Sequence, residues 1–198
     1  MTAGRHPLPR GVHCIANCKL PSEVAVDTSF VIAALNQGEP HHQEAADFMT
    51  RLVDGQSLLI HNRLMEIEFV EVAFKLAVKE RHGSKGWPAK RSDGRVRRRA
   101  GRLTSDMLSS WKEIKSTTPN LQIELAEVAD EVPGIMRKWG LASYDAVHAA
   151  SAIYGAGGSL VTFDAGFGSV PEKDLQVYIE RSRVRSCRIR RGGRLNGP

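Results

Sequence analysis

Short strand-like segments alternate with helical ones along most of this chain, and two of the strands run directly into aspartate. Residues 23–27 (EVAVD) and 159–162, followed by Phe163-Asp164, are apolar runs of strand length. Residues 57–61 (SLLIH), 121–125 (LQIEL) and 174–179 (DLQVYI) extend the set, the last as an edge strand. Helical spacing fills the gaps over 30–36, 41–53, 63–79, 103–115, 126–139 and 144–154. Asn62 and Ser143 stand where N-caps belong, and Pro133-Gly134 interrupts the fifth of these helices. No Asn-Gly hairpin turn joins the strands, so antiparallel pairing has no local support. The pattern predicts an α/β fold: a mostly parallel central sheet flanked by helices, a three-layer α/β/α sandwich. One domain is expected over 22–180. Residues 1–21, with three prolines, two glycines and no apolar periodicity, are expected to form an extension.

The charge is unevenly distributed. The chain of 198 residues carries a formal +6. Residues 81–102 hold nine Lys/Arg against Asp93 alone, giving +8, and 181–194 hold seven arginines and no acid, giving +7. Taking this +15 from +6 leaves −9 for the remainder, so an acidic body bears two basic blocks. Such blocks suit phosphate binding or flexible arms. The glycines in 81–102 predict a basic loop insertion, with Arg95, Arg97, Arg98 and Arg99 as RNA-binding candidates, and 181–198 are expected to be an arginine-rich tail. The longest apolar run, from Phe30 to Leu35, is far short of the ~20 residues of a membrane span. No apolar stretch follows the basic N-terminus, so a cytoplasmic protein is expected. Three cysteines, Cys14, Cys18 and Cys187, do not suggest a disulfide framework, and His13, Cys14 and Cys18 lack a fourth zinc ligand.

In a parallel sheet, Asp27 and Asp164 emerge at the same edge, beyond the carboxyl ends of their strands. Asp145 lies two residues after Ser143, at a helix start, and the 63–79 helix offers Glu66, Glu68 and Glu71. Carboxylates converging without Lys or Arg in their motifs repel one another unless a cation binds them. Oxygen-only donors favour Mg²⁺ or Mn²⁺ over zinc. That is the chemistry of phosphodiester hydrolysis. Taken singly, each acid has an ordinary alternative. Asp27 and Asp164 suit turns, Asp145 suits a helix N-terminus, and Glu71 suits an i,i+4 pair with Lys75.

Four segments taken together, VAVDTSFVIAAL (24–35), NRLMEIEFVEVAFKL (62–76), GLASYDAVHAASA (140–152) and LVTFDAGF (160–167), resemble a PIN-domain nuclease. Within that superfamily they resemble a VapC-type toxin ribonuclease of a type II toxin–antitoxin system. The resemblance implies Asp27, Glu68, Asp145 and Asp164 as catalytic, metal-holding acids, with Glu66 and Glu71 as alternatives to Glu68. It implies hydroxyl support from Ser29 and Thr162, and a packing role for His148. It further implies a Mg²⁺- or Mn²⁺-dependent endoribonuclease that acts on RNA, forms a homodimer and is silenced by a cognate antitoxin. The basic segments depart from that pattern. They leave a PIN nuclease of RNA maturation, and a non-catalytic basic RNA-binding protein, as alternatives.

Overall fold

The computed structural model describes residues 11–187 of the chain. Its first half comprises β1 (Val12–Cys14), β2 (Glu23–Val26), α1 (Thr28–Leu35), α2 (His42–Asp54), β3 (Leu58–Asn62) and α3 (Leu64–His82). There follow α4 (Gly94–Thr117), β4 (Asn120–Ile123), α5 (Leu125–Val128), α6 (Val132–Trp139), α7 (Ser143–Gly155), β5 (Ser159–Val161) and β6 (Gln176–Ile179). The six strands lie in the order β1-β6-β5-β2-β3-β4, and every pairing is parallel.

Side chains on a strand alternate between faces, and here each face builds its own core. Val24 and Val26 of β2, Leu59 of β3 and Val161 of β5 join the apolar sides of α1 to α4. Ala25, Ile60 and Leu160, their immediate neighbours, join α5, α6 and α7 on the other face. The result is the expected three-layer α/β/α sandwich. Helices α1 to α4 carry the chain from β2 through β3 to β4, and α5 to α7 return it across the opposite face to β5. The winding therefore reverses between β2 and β5. A crevice opens at such a reversal, beyond the carboxyl ends of the two strands.

Four expectations change. Residues 12–14 are not part of an extension but form the edge strand β1, with Val12 fully buried and in register with Val177. Consequently β6 lies inside the sheet. The 81–102 block is largely helical rather than a loop: α3 runs on to His82 and α4 starts at Gly94. Asp93 caps α4, accepting from the backbone N–H of Arg95 (2.7 Å) and Val96 (3.2 Å), which hold its carboxyl down at about 2. Val96, Ala100, Met107 and Trp111 are buried along one stripe of α4 against the first core. Arg91 pairs with Glu71 (2.7 Å) and lies over the ring of Phe74 (4.4 Å), so the connection is packed onto α3. Finally, Val184 and Cys187 are buried in the second core, so the beginning of the C-terminal block belongs to the domain. Residues 188–198 of the expected tail lie outside the described residues. Among the described residues no helix is long and apolar enough to cross a membrane.

Candidate active site

Asp27 directly follows β2 at the N-cap position of α1, yet its side chain makes no cap hydrogen bond. Its Oδ2 instead accepts from Ser29 Oγ (2.5 Å) and Thr162 Oγ1 (2.7 Å). Each hydroxyl also accepts a backbone N–H from the loop after β5: Phe163 N bonds Ser29 Oγ, and Asp164 N bonds Thr162 Oγ1, both at 2.9 Å. A hydroxyl has one proton to give, and accepting a backbone N–H fixes where that proton points. Both protons are directed at Asp27, so the two strand ends are locked together around one buried carboxylate.

Glu68, one turn into α3, is held from two other elements. Thr28 Oγ1 of α1 donates to its Oε2, and His148 Nε2 of α7 lies 2.8 Å from the same oxygen. The other ring nitrogen of His148 stands 3.4 Å from the Asn62 side-chain amide, and because a carboxylate only accepts, Nε2 is the donor to Glu68. Asn62 is itself fixed, donating to Ser151 Oγ (3.1 Å) and accepting from Leu64 N (3.0 Å). His148 Nε2 also lies 3.6 Å from Asp27 Oδ1. Burial alone lowers a histidine, but the hydrogen bond to Glu68 and the charges of Asp27, Glu68 and Asp145 carry His148 above its ordinary value. The imidazole is buried, as a packing residue is, and it also orients Glu68.

The alternatives to Glu68 are occupied elsewhere. Glu71 pairs with Arg91 rather than Lys75, and Glu66 lies 4.0 Å from Lys115. Asp145, in the first turn of α7, is pushed up to about 6. Burial is the largest cause, followed by the charges of Asp27 and Asp164, while His148 opposes them and Glu68 adds to them. This places Asp145 within electrostatic reach of the other three acids. Asp164 is exposed, and its Oδ1 accepts from Gly166 N (2.7 Å), so it also starts the turn that its sequence suggested. Ser143 is the first helical residue rather than the cap, a position taken by Ala142.

The sequence profile of the PIN domain family matches residues 24–173. The chain belongs to the PIN domain family. Proteins of this family are in general nucleases, phosphodiester hydrolases that act on nucleic acids and typically use divalent metal ions. A comparison with curated proteins gives no match.

In this PIN domain the donor set suits a hard divalent cation. Among the described residues no Lys or Arg ion pair reaches Asp27, Glu68, Asp145 or Asp164, so the buried negative charge is answered within the site by His148 alone. Among the described residues, the group whose donor atoms all lie within 4.8 Å of one another is His41, Glu44 and Glu180 rather than the four acids. It suits a cation poorly, because Arg183 Nε stands 3.5 Å from Glu180 and Ser182 already binds both Glu180 oxygens.

The arginines named from sequence are not at the acids. Arg99 pairs with Glu80 (2.9 Å), which lies twelve residues beyond Glu68 on α3, about 18 Å along the helix axis. Arg95, Arg97 and Arg98 are exposed on the first turns of α4. Thr28 and the Asn62 side chain, which hold Glu68 and His148, are not singled out by the sequence pattern. The available signal is position: Thr28 directly follows Asp27, and Asn62 ends β3.

Proposed function

We propose that this PIN domain is an endoribonuclease dependent on Mg²⁺ or Mn²⁺, and that it is the toxin of a VapBC-type toxin–antitoxin pair. The observation that carries the nuclease reading is that Asp27, Glu68, Asp145 and Asp164 lie within electrostatic reach of one another at the β2/β5 reversal, Asp27 held by two hydroxyls and Glu68 by Thr28 and His148, with no Lys or Arg ion pair to any of them among the described residues. The toxin assignment rests on the likeness of its VDTS and LASYDAVHAA segments to that group.

Asp27, Glu68, Asp145 and Asp164 would hold the ion, which when bound supplies positive charge to the scissile phosphate and acidifies water beside it. Ser29 and Thr162 fix the Asp27 carboxylate before any ligand arrives, so little reorganisation is needed on binding. His148 and Thr28 do the same for Glu68, both as donors to its carboxylate. The exposed arginines of α4, Arg95, Arg97 and Arg98, would bind the RNA backbone away from the cut. A homodimer and a cognate antitoxin complete the proposal.

RNA cleavage by the purified protein with Mn²⁺, with EDTA, and in Asp27→Asn and Asp145→Asn variants tests it. Cleavage should require the ion and fall about 100-fold or more in either variant. Equal cleavage by both variants and the wild type would overturn the proposal. Toxicity on induction, relieved by the product of an adjacent small gene, supports the toxin role; induction without growth arrest contradicts it.

A further inference from the structure

A cavity of about 480 Å³ opens beside the acids, between α1 and the loop after β5, and Ser29, His41, Phe163, Asp164 and Arg183 border it. Among the described residues, Arg183 supplies the Lys/Arg charge on that border. Its Nη1 donates to the carbonyl of Phe163, the residue before Asp164. Its Nε stands 3.5 Å from Oε1 of Glu180, while 46% of the side chain remains exposed. Glu180 is only 1% exposed, and the N–H and hydroxyl of Ser182 fix its oxygens at 2.6 and 2.5 Å. A buried carboxylate and a backbone carbonyl thus hold a half-exposed guanidinium at the border of a cavity that two site residues, Ser29 and Asp164, also line.

A guanidinium has five N–H donors in a planar fork suited to phosphate, and these two contacts use a minority of them. The acids present the opposite problem to a nucleic acid, since four carboxylates repel an approaching polyanion. A cation seated next to them, but not paired with them, offsets that repulsion where the strand enters. We propose that Arg183 binds the phosphodiester next to the scissile one on a single-stranded RNA, with Glu180 as its positioning residue. This rests on the nuclease reading above and adds a substrate contact to it. It also separates the two basic blocks: Arg183 acts at the site, whereas Arg99 of α4 is paired with Glu80, about 18 Å from Glu68 along α3.

The test is binding of a fluorescein-labelled single-stranded RNA by fluorescence anisotropy across a salt series. The full chain is used in an Asp145→Asn background with EDTA, where cleavage is off. Arg183→Gln should weaken binding about 10-fold and make the plot of log affinity against log salt shallower by about 0.7, the value of one lost phosphate contact on a single strand. Glu180→Gln should lose part of this affinity. Arg183→Lys, which keeps the charge, should recover the salt slope. Arg185→Gln removes an equal charge from an exposed position of the same segment and should change neither quantity more than 2-fold. In otherwise wild-type protein with Mn²⁺, Arg183→Gln should raise KM more than it lowers kcat. Equal losses from Arg183→Gln and Arg185→Gln, or an unchanged slope in Arg183→Gln with an unaltered melting temperature, would overturn the proposal. Failure of the wild type to cleave RNA at all defeats the nuclease reading instead, and the anisotropy result is read independently of it.

Discussion

Replacing Asp145 with asparagine should make the metal-free protein more stable, although the residue is proposed to be essential for activity. In the fold this carboxyl titrates near 6, against an ordinary 3.8, because it is partly buried and faces Asp27 and Asp164. Below about pH 4 it is protonated in both the folded and the unfolded chain, so it costs the fold nothing. Between pH 4 and 6 the unfolded chain releases the proton while the folded one retains it, and stability falls. Above pH 6 the cost is complete and constant. At about 1.4 kcal/mol per pH unit, the separation of 3.8 and about 6 sets a ceiling of about 3 kcal/mol. The side chain is partly exposed, and solvent screening reduces the expected cost to about 1–2 kcal/mol. Asparagine has nearly the same shape and no charge. For a chain of this size that is a rise in Tm of about 2–8 °C. Thermal unfolding in EDTA, from pH 4 to pH 8, measures it: the two proteins should melt together at pH 4 and separate through pH 6 to a plateau. Mn²⁺ should then raise the Tm of the wild type alone. A variant that melts below the wild type at pH 8, or a gap that is the same at pH 4 and pH 8, would refute the account of mutual repulsion.

Two further substitutions examine the scaffold around the acids. Thr162→Val keeps the side chain's shape but removes the hydroxyl that donates to Asp27 and accepts from Asp164 N. It should cost about 1–3 kcal/mol by chemical denaturation and lower kcat with little change in KM. Asn62→Leu strands Leu64 N, Ser151 Oγ and the His148 ring at a fully buried position. A loss of about 3 kcal/mol or more is expected, together with weaker Mn²⁺ binding because Glu68 loses its orientation; a loss under about 1 kcal/mol would contradict the network.

What the sequence disclosed, and what it hid, follows from the range of the interactions involved. The apolar runs of β2, β3 and β5 are buried on both faces of a parallel sheet, so they stand out as continuous stretches whatever surrounds them. β1 has three residues and is made a strand only by pairing with β6, more than 160 positions away, which no local pattern announces. The start of α4 carries mixed signals: Asp93 is a strong cap, and Val96, Ala100, Met107 and Trp111 keep helical phase, while Gly94 and Gly101 with the dense arginines favour a loop. Asp27 and Asp164 could be placed at one edge from strand direction alone. Choosing Glu68 over Glu66 and Glu71 required resemblance, because α3 presents all three acids with similar spacing. The structure distinguishes them through partners distant in sequence, His148 and Thr28 for Glu68, Arg91 for Glu71. Arg183 stands inside a run of like residues, where composition says nothing about which guanidinium contacts the loop after β5.

The central claim is that four carboxylates from β2, α3, α7 and the loop after β5 form one divalent-cation site. Calorimetric titration of the metal-free protein with Mn²⁺ at pH 7.5 addresses it without relying on any activity. One ion should bind per chain in the wild type, with at least about 10-fold weaker binding in Asp27→Asn and in Glu68→Gln, and with wild-type affinity retained in Glu71→Gln. Wild-type affinity in Asp27→Asn and Glu68→Gln, or no binding in the wild type, would contradict the account.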